Sequence, residues 1–190
     1  MQDLPGTPLS AAEPDRPPAR PHPPRGRSRA VLGLLAVLVL VLDQASKAWA
    51  LAALTPGQPV DVLGRVLRLS LIRNPGAAFS LGDGATWVLT LVSLAILGWV
   101  LLGVRRVAGL PWSIALGLLL GGALGNLLDR LVREPGPGRG HVVDFIDYAG
   151  LFVGNVADIA IVTAAGIIMV LAYRGVPLGG HRTRPARGDG

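Results

Sequence analysis

The chain has 190 residues, of which 51% are hydrophobic and 16% are charged, and its net charge is +6. A soluble domain usually carries about a quarter of its residues as charges, so this balance excludes an ordinary soluble domain and indicates a small integral membrane protein. The absence of cysteine excludes disulfides, thiol nucleophiles and cysteine metal sites. The basic residues, mostly arginine, flank apolar segments, and this placement indicates membrane topology and no nucleic-acid partner.

Residues 1–29 are rich in proline and arginine and contain almost no large apolar residues, which predicts a disordered cytoplasmic tail. Four apolar segments follow, at residues 30–54, 84–104, 107–128 and 148–173. Each is close to the roughly 20 residues with which a helix spans a bilayer. The run "AWA" at 48–50 resembles a signal-peptide cleavage site, but the long preceding tail and the charges within the first apolar run favour an uncleaved helix. Residues 175–190 predict a second disordered tail.

Between the first two apolar segments, residues 55–83 alternate apolar and polar positions, which predicts short strands or an amphipathic piece on the membrane surface. Orientation follows the arginines, because cytoplasmic flanks carry the excess of basic residues. The tails and the short second loop hold most of them, so both termini are predicted to be cytoplasmic. The predicted fold class is an all-α integral membrane protein, with four transmembrane helices and a small extracytoplasmic β-like or amphipathic segment between helices 1 and 2.

On this topology, the unusual polar residues of the apolar segments gather at their outer ends. They are Asp43 and Lys47 in the first segment, Asn126, Asp129 and Arg130 in the third, Asp144 just before the fourth, and Asn155 and Asp158 at its start. An ionisable group inside a bilayer costs about 2.5–3.5 kcal/mol on insertion scales, so such groups usually face a site or a partner.

Most of these groups also have a purely structural interpretation. Asp43 and Lys47 are four residues apart and could form only an ion pair that fixes the first helix. Asp129 and Arg130 could form an interfacial cap, with Arg130 reaching toward the headgroups. Asp158 alone could be an early-turn acid favoured by the helix dipole. Solvated loop positions are the interpretation for Asp61, Asp83, Asp147 and His141. The scattered histidines predict no metal site.

Asp144 and Asp158 together favour a functional interpretation. They are expected at the same depth in the membrane, and the sequence offers no two free cations to neutralise both of them, which indicates that they share a proton. Two carboxylates that share one proton can act as general base toward water and as hydrogen-bond donor to a carbonyl oxygen. This is aspartic-protease chemistry, which uses no metal, cofactor or covalent intermediate. Asn74, Asn126 and Asn155 could orient the substrate or the carboxylates. The stretch "NPGAAF" at 74–79 could admit an extended peptide or be an ordinary turn.

A small proton- or ion-coupled transporter is the alternative function, since buried carboxylates with a lysine also form proton relays. Against it, the charges cluster at one face of the membrane, and no internal repeat is visible. A non-catalytic membrane scaffold is a third hypothesis, which predicts that both acids can be replaced by asparagine without loss.

Five motifs occur in order along the chain: "DQASK" (43–47), "NPGAAF" (74–79), "GNLLDR" (125–130), "VVDF" (142–145) and "NVAD" (155–158). With these motifs, residues 30–174 resemble bacterial lipoprotein signal peptidase, also called signal peptidase II. The resemblance implies a four-helix inner-membrane aspartic endopeptidase that removes signal peptides from prolipoproteins, cutting before the diacylglyceryl-modified cysteine. Its active site would lie near the outer face of the membrane.

The resemblance also implies roles for individual residues. It makes Asp144 and Asp158 the catalytic dyad and assigns supporting positions to Asp43, Lys47, Asn74, Gly76, Asn126, Asp129, Arg130 and Asn155. The expected partners are diacylglyceryl-prolipoproteins, membrane lipid and the inhibitor globomycin.

Two features depart from the family pattern. Gly154 stands where the family usually has an aromatic residue. Residues 133–141 form an apparent insertion, which is expected to be a flexible loop over the cleft.

Overall fold

The fold was obtained as a computed structural model that describes residues 25–76 and 86–179. Its elements in chain order are α1 (Arg25–Ala53), β1 (Val60–Leu63), β2 (Leu67–Asn74), α2 (Thr86–Val104), α3 (Leu110–Val132), β3 (Val142–Tyr148), β4 (Phe152–Gly154) and α4 (Val156–Tyr173). All four helices are long and apolar enough to cross a membrane by length and composition. A helix satisfies its backbone polar groups internally, which is the condition for crossing lipid.

The central helix is α3, which contacts each of the other three helices. Glycines allow this close approach. A methyl group added at Gly121 would lie 2.6 Å from the carbonyl oxygen of Ala36 in α1, and one at Gly122 would lie 2.6 Å from the carbonyl oxygen of Ala157 in α4. Small residues let helix backbones pack closely in lipid, where no hydrophobic force drives helices together. The glycines of α3 therefore allow α1 and α4 to pack closely against it.

The four strands form one antiparallel sheet in the order β1-β2-β3-β4. In the β2–β3 pair, Ile72 lies opposite Asp144. Val143 and Phe145 pack in a buried cluster with Ala50 near the end of α1. Because side chains alternate along a strand, Asp144 faces the opposite side of the sheet from this cluster. The predicted β-like segment after helix 1 is confirmed as β1 and β2, and β3 and β4 extend it.

Several helix boundaries differ from the predictions. α1 begins at Arg25, so residues 25–29 of the expected tail are helical, and α3 continues to Val132 instead of ending at 128. α4 begins at Val156 instead of 148. Residue 148 ends β3 and residues 152–154 form β4, and a short apolar run alone does not distinguish a strand from a helix.

The start of the expected C-terminal tail is part of the fold. The indole Nε1 of Trp112 donates a hydrogen bond of 3.0 Å to the carbonyl oxygen of Val176. The amide of Ala108 donates one of 3.2 Å to the carbonyl oxygen of Leu178. Residues 175–179 therefore bind the end of the bundle where α3 begins. The rest of both expected tails, residues 1–24 and 180–190, lies outside the described residues.

The apparent insertion at 133–141 has a defined hydrogen-bonded conformation. The amides of Gly138 and Gly140 donate to the carbonyl oxygen of Arg130, at 2.9 and 3.0 Å. The Thr90 hydroxyl of α2 donates a bond of 2.8 Å to the carbonyl oxygen of Gly138. The expected flexible loop thus joins the end of α3 to α2, and its glycines at positive φ provide the turns, at Gly136 and Gly138.

Gly121→Ala is expected to lower the free energy of unfolding by about 1–3 kcal/mol, because the new methyl group meets the Ala36 carbonyl and the Val39 side chain. Gly33→Ala in α1 is the matched control, since nothing lies within 4 Å of its methyl position and alanine favours a helix over glycine. Thermal unfolding of both variants in detergent measures the difference. Equal loss in the two variants would contradict the close packing of α1 on α3.

Candidate active site

A cavity of about 440 Å³ lies between the sheet and helices α2, α3 and α4. Asp144 reaches it from the middle of β3, and Asp158 reaches it from the first turn of α4. Two acids from separate segments of the sequence therefore meet in one cavity, as the matched-depth argument predicted. The other polar residues that line it are Asn74, Ser93, Asn126 and Arg130, and Gly76 lies at its edge.

Asp158 is placed by the cap of α4. The Asn155 side chain accepts a hydrogen bond of 3.0 Å from the amide of Asp158, and Asp158 Oδ2 accepts one of 3.0 Å from the amide of Asn155. This reciprocal arrangement is a capping box. It starts the helix at Val156 and holds the Asp158 carboxylate at the positive end of the helix dipole. A Cβ at Gly154 would lie 3.0 Å from Asp158 Oδ2, so the glycine leaves room for this carboxylate.

Asp144 is buried, and amides contact both of its oxygens. Asn74 Nδ2 donates a bond of 2.8 Å to Oδ2, and Asn155 Nδ2 donates one of 2.6 Å to Oδ1. Burial, together with the nearby charge of Asp158, raises the pKa of Asp144 from 3.8 to about 6, although the two amides and the charge of Lys47 oppose the shift. Asp144 therefore retains a proton at higher pH than an ordinary aspartic acid.

Three asparagines present their NH₂ groups to the two carboxylates, since each amide oxygen is already held by a donor. Asn74 Oδ1 accepts from the amide of Gly76 at 2.8 Å, and Asn155 Oδ1 accepts from the amide of Asp158. Asn126 Oδ1 accepts from Lys47 Nζ at 3.0 Å, and its Nδ2 donates to Asp158 Oδ1 at 2.9 Å. These donors have no lone pair, so they fix which end of each amide faces the cavity.

Lys47 lies in a buried ionic cluster that joins three helices. Its ammonium is 2.8 Å from Asp43 Oδ2 and 2.9 Å from Asp129 Oδ2, and all three side chains are 0% exposed. Asp43 Oδ1 also accepts from the amide of Ala157 in the first turn of α4, and Arg133 Nε donates to Asp129 Oδ1 at 2.7 Å. The ion pair within α1 is thus present, but it is one part of a cluster that positions α3 and α4 as well.

Arg130 is buried in the cavity wall, with 8% of its surface exposed. The interpretation that it reaches toward the headgroups as an interfacial cap is wrong. Its charge interacts with Asp144, Asp129 and Asp158. Among the described residues its Nη1 has no hydrogen-bond partner. A buried guanidinium nitrogen without a partner is costly, so this atom is a donor available to a ligand in the cavity.

Comparisons with known proteins identify the family of this chain. Residues 35–174 match the family model described as signal peptidase (SPase) II. This chain belongs to that family. It is 47% identical over 155 residues to a lipoprotein signal peptidase of Leifsonia xyli subsp. xyli, an alignment that covers 81% of this chain and 72% of the relative. It is 46% identical over 158 residues to a lipoprotein signal peptidase of Mycobacterium tuberculosis, covering 83% and 77%.

The fold of this signal peptidase II family member is also similar to that of solved proteins. One bacterial membrane enzyme matches with a TM-score of 0.67 at 26% identity, covering 84% of this chain and 94% of the solved chain. A second matches with a TM-score of 0.64 at 28% identity, covering 77% and 92%. The chain is therefore a multi-pass membrane protease, and its family supports cleavage of lipoprotein signal peptides. The peptidase hypothesis is confirmed over the transporter alternative.

Four residues were predicted to be solvated loop positions, and the structure confirms only part of this prediction. Asp61 is exposed, as predicted, and Asp83 lies outside the described residues. Asp147 is 4% exposed and accepts from Arg68 Nη2 at 2.6 Å, so its interpretation as a solvated residue is wrong. The reason is that it lies within β3, which was predicted as a loop. His141 is half-buried and lines a separate cavity.

Sequence reasoning missed Gln44 and the contribution of α2. Gln44 Nε2 donates to Asp43 Oδ2, to the Gly125 carbonyl oxygen and to Asp129 Oδ1, at 3.1–3.2 Å. Its position inside "DQASK", between the charged residues Asp43 and Lys47, could have predicted that Gln44 belongs to the polar cluster. The α2 residues that line the cavity carried no signal, because three of them are apolar within an apolar helix and the hydroxyl of the fourth, Ser93, bonds its own helix: Leu89, Val92, Ser93 and Ile96.

Lys47→Met is expected to lower the free energy of unfolding by about 3–5 kcal/mol, because it leaves the buried Asp43 carboxylate without a cation and Asp129 with Arg133 alone. Arg68→Met is the comparison variant. It also removes a salt bridge, but the Arg68 side chain is 24% exposed, so the expected loss is smaller. Chemical unfolding in detergent compares the two, and a larger loss for Arg68→Met would contradict the central role of the Lys47 cluster.

Asp144→Asn is expected to gain stability relative to the parent as the pH rises from 4 to 8. Below pH 3.8 the Asp144 carboxyl group is protonated in the folded and unfolded states, so its ionisation does not change the free energy of unfolding. As the pH rises through 3.8 toward about 6, the unfolded chain ionises first and the folded parent loses up to about 3 kcal/mol. Melting temperatures of both proteins across this range test it. A difference that does not change with pH would contradict the raised pKa.

Proposed function

We propose that this chain is an intramembrane aspartic endopeptidase that cuts diacylglyceryl-modified prolipoproteins before the lipidated cysteine, with water activated by Asp144 and Asp158. The observation that carries the proposal is the meeting of these two carboxylates in one cavity, where amides fixed in one orientation hold them. The substrate class in this proposal comes from family membership, and the catalytic groups are the carboxylates and amides that line the cavity.

The two carboxyl groups have different surroundings, which suits them to different roles. Asp158 lies at a helix N-terminus and accepts a backbone amide and an asparagine NH₂, so it suits the ionised general base. Asp144 has its pKa raised to about 6, so it suits the protonated partner. Asp158 takes a proton from water, the hydroxide attacks the scissile carbonyl carbon, and the Asp144 hydroxyl donates a hydrogen bond to the developing oxyanion. The C–N bond then breaks as the leaving amine accepts a proton from Asp158.

Two further groups are placed to hold the peptide. Arg130 Nη1 is a buried donor without a partner among the described residues, which suits a substrate carbonyl oxygen. Gly76 lies at the cavity edge with φ of 118°, in the left-handed region that favours glycine. It lets the Asn74 turn close, since the Gly76 amide donates to Asn74 Oδ1. Residues 77–79 of the same motif lie outside the described residues.

The lipid chains of the substrate are proposed to remain in the bilayer. The cavity is polar beside the two carboxylates and apolar toward α2 and α4, where Val92, Ile96, Ile161 and Val162 line it. Val92 and Val162 are 49% and 71% exposed on helices that are candidate membrane spans. A side opening between α2 and α4 therefore lets acyl chains stay in hydrocarbon while the scissile bond reaches the acids.

The orientation proposed for the bundle places both termini in the cytoplasm. The start of α1, the α2–α3 turn and residues 175–179 lie at one end: Arg29 Nη2 donates to the Arg105 carbonyl oxygen, and Ala108 bonds Leu178. The two carboxylates lie at the other end, beside the last turns of α1 and α3. Because the sequence segments that flank the first end hold 11 of the 17 arginines, the carboxylates and the sheet are proposed to lie near the outer membrane surface.

Asp144→Asn and Asp158→Asn are each expected to reduce cleavage of a diacylglyceryl-modified prolipoprotein by at least about 10³-fold, because each removes one of two groups that act as a unit. Asp61→Asn is the matched control, since Asp61 is exposed on β1 and far along the sheet from Asp144. Cleavage by purified protein in detergent is measured by the shift in product mass, with each variant checked for folding by its melting temperature.

One further substrate and one inhibitor test the role of the diacylglyceryl group and the location of the active site. An unlipidated precursor is expected to remain intact, and globomycin is expected to inhibit cleavage of the lipidated one by competing for the same cavity. If either folded asparagine variant cuts at the rate of the parent, the mechanism is wrong. Cleavage of both precursors at equal rates would instead contradict the role of the diacylglyceryl group.

A further inference from the structure

A second cavity, of about 310 Å³, lies on the other face of the sheet. Arg73 lies opposite Val143 in the β2–β3 register, one residue from the pair that contains Asp144. Side chains alternate along a strand, so Arg73 and Val143 face away from the carboxylate cavity. The residues that line the second cavity are Leu51, Arg73, Val132, Arg133, Glu134, His141 and Val143. No residue is shared with the wall of the first cavity.

Basic side chains converge on this second cavity from separate parts of the fold. Arg73 comes from β2, Arg133 follows the end of α3, and His141 precedes β3. Glu134 is the one acid in the wall. Its side chain is 89% exposed and lies 3.5 Å from Arg73 Nη1, so the contact is weak and Glu134 can turn to solvent. The wall is therefore basic overall, with two arginines and a histidine to one acid, and Arg73 is itself 62% exposed.

Arg133 is held in place before any ligand binds. Its Nε donates to Asp129 Oδ1 at 2.7 Å, and Asp129 is itself fixed by Lys47 at 2.9 Å. That bond uses one of the five N–H groups of the guanidinium, and the structure gives the terminal amino groups no other hydrogen bond within the described residues. A planar guanidinium fixed in this way is well suited to a phosphate, which arginine binds with paired hydrogen bonds.

The other wall of the cavity is apolar and continues onto a membrane helix. Leu51, Val132 and Val143 line it. Val132 is 67% exposed and Leu131 is 42% exposed at the end of α3, which is a candidate membrane span. A ligand that fits has a phosphate at the basic wall and a hydrocarbon part along α3. This is the chemistry of a phospholipid at the membrane surface.

We propose that the cavity behind the sheet is a phospholipid site, in which Arg73, Arg133 and His141 bind the phosphate group of an anionic lipid. The site is separate from the carboxylate cavity, so the proposal does not depend on the function proposed above.

The test is a binding titration with the purified full chain, stripped of lipid in a neutral detergent. The probes are dihexanoyl phosphatidylglycerol, dihexanoylglycerol without a phosphate, and inorganic phosphate. Phosphatidylglycerol is expected to bind the parent, and Arg73→Gln is expected to weaken it about tenfold through loss of charge-assisted hydrogen bonds. Arg139→Gln is the matched control, because Arg139 is exposed in the same loop as His141 and does not line the cavity.

His141→Gln is a second variant at the cavity, expected to weaken binding while keeping its melting temperature. Equal weakening by Arg139→Gln would show general attraction to a basic surface and overturn the site. Equal binding of dihexanoylglycerol would show that the phosphate is not recognised. If inorganic phosphate binds as tightly as phosphatidylglycerol, the ligand is a free anion and the lipid assignment is wrong.

Discussion

The arrangement of this bundle depends on one buried cation, Lys47. Its ammonium is fully shielded from solvent between Asp43 and Asp129, and removing one member of such a cluster would leave an uncompensated charge. Asp43 also accepts the amide of Ala157, so the same cluster that joins α1 to α3 fixes where α4 begins. The glycines of α3 make this possible, because a Cβ at Gly125 would occupy the place of the Asp43 carboxylate.

The cluster also reaches the cavity, through Asn126. Lys47 holds the oxygen of this amide, and the NH₂ group therefore faces Asp158. Asn155 links the cap of α4 to Asp144 in the same way. Buried polar networks are stable only when every member is satisfied. Arg130 Nη1 has no partner among the described residues of this wall, and in the proposed mechanism it binds a substrate carbonyl oxygen.

Length, hydropathy and motif order predicted four helices, the depth of the polar residues and the meeting of Asp144 with Asp158. They failed where local patterns are ambiguous. Residues 148–154 look like the start of a helix, but they form the end of β3, a turn and β4, because a short apolar run alone does not distinguish a strand from a helix. Asp147 was assigned to solvent for the same reason, since its partner Arg68 is distant in sequence and adjacent only in the sheet.

The sequence by itself determined the membrane class of this protein, the family to which it belongs and the residues that carry charge into the bundle. These depend on composition and on short motifs, which are local. Only the tertiary structure decided which donor holds each amide, that Arg130 is buried in the cavity wall, and that a second basic cavity lies behind the sheet. These features depend on contacts between residues up to 114 positions apart, as in the bond from Ala157 to Asp43, and no local pattern specifies which distant groups the packing of helices brings within hydrogen-bond distance.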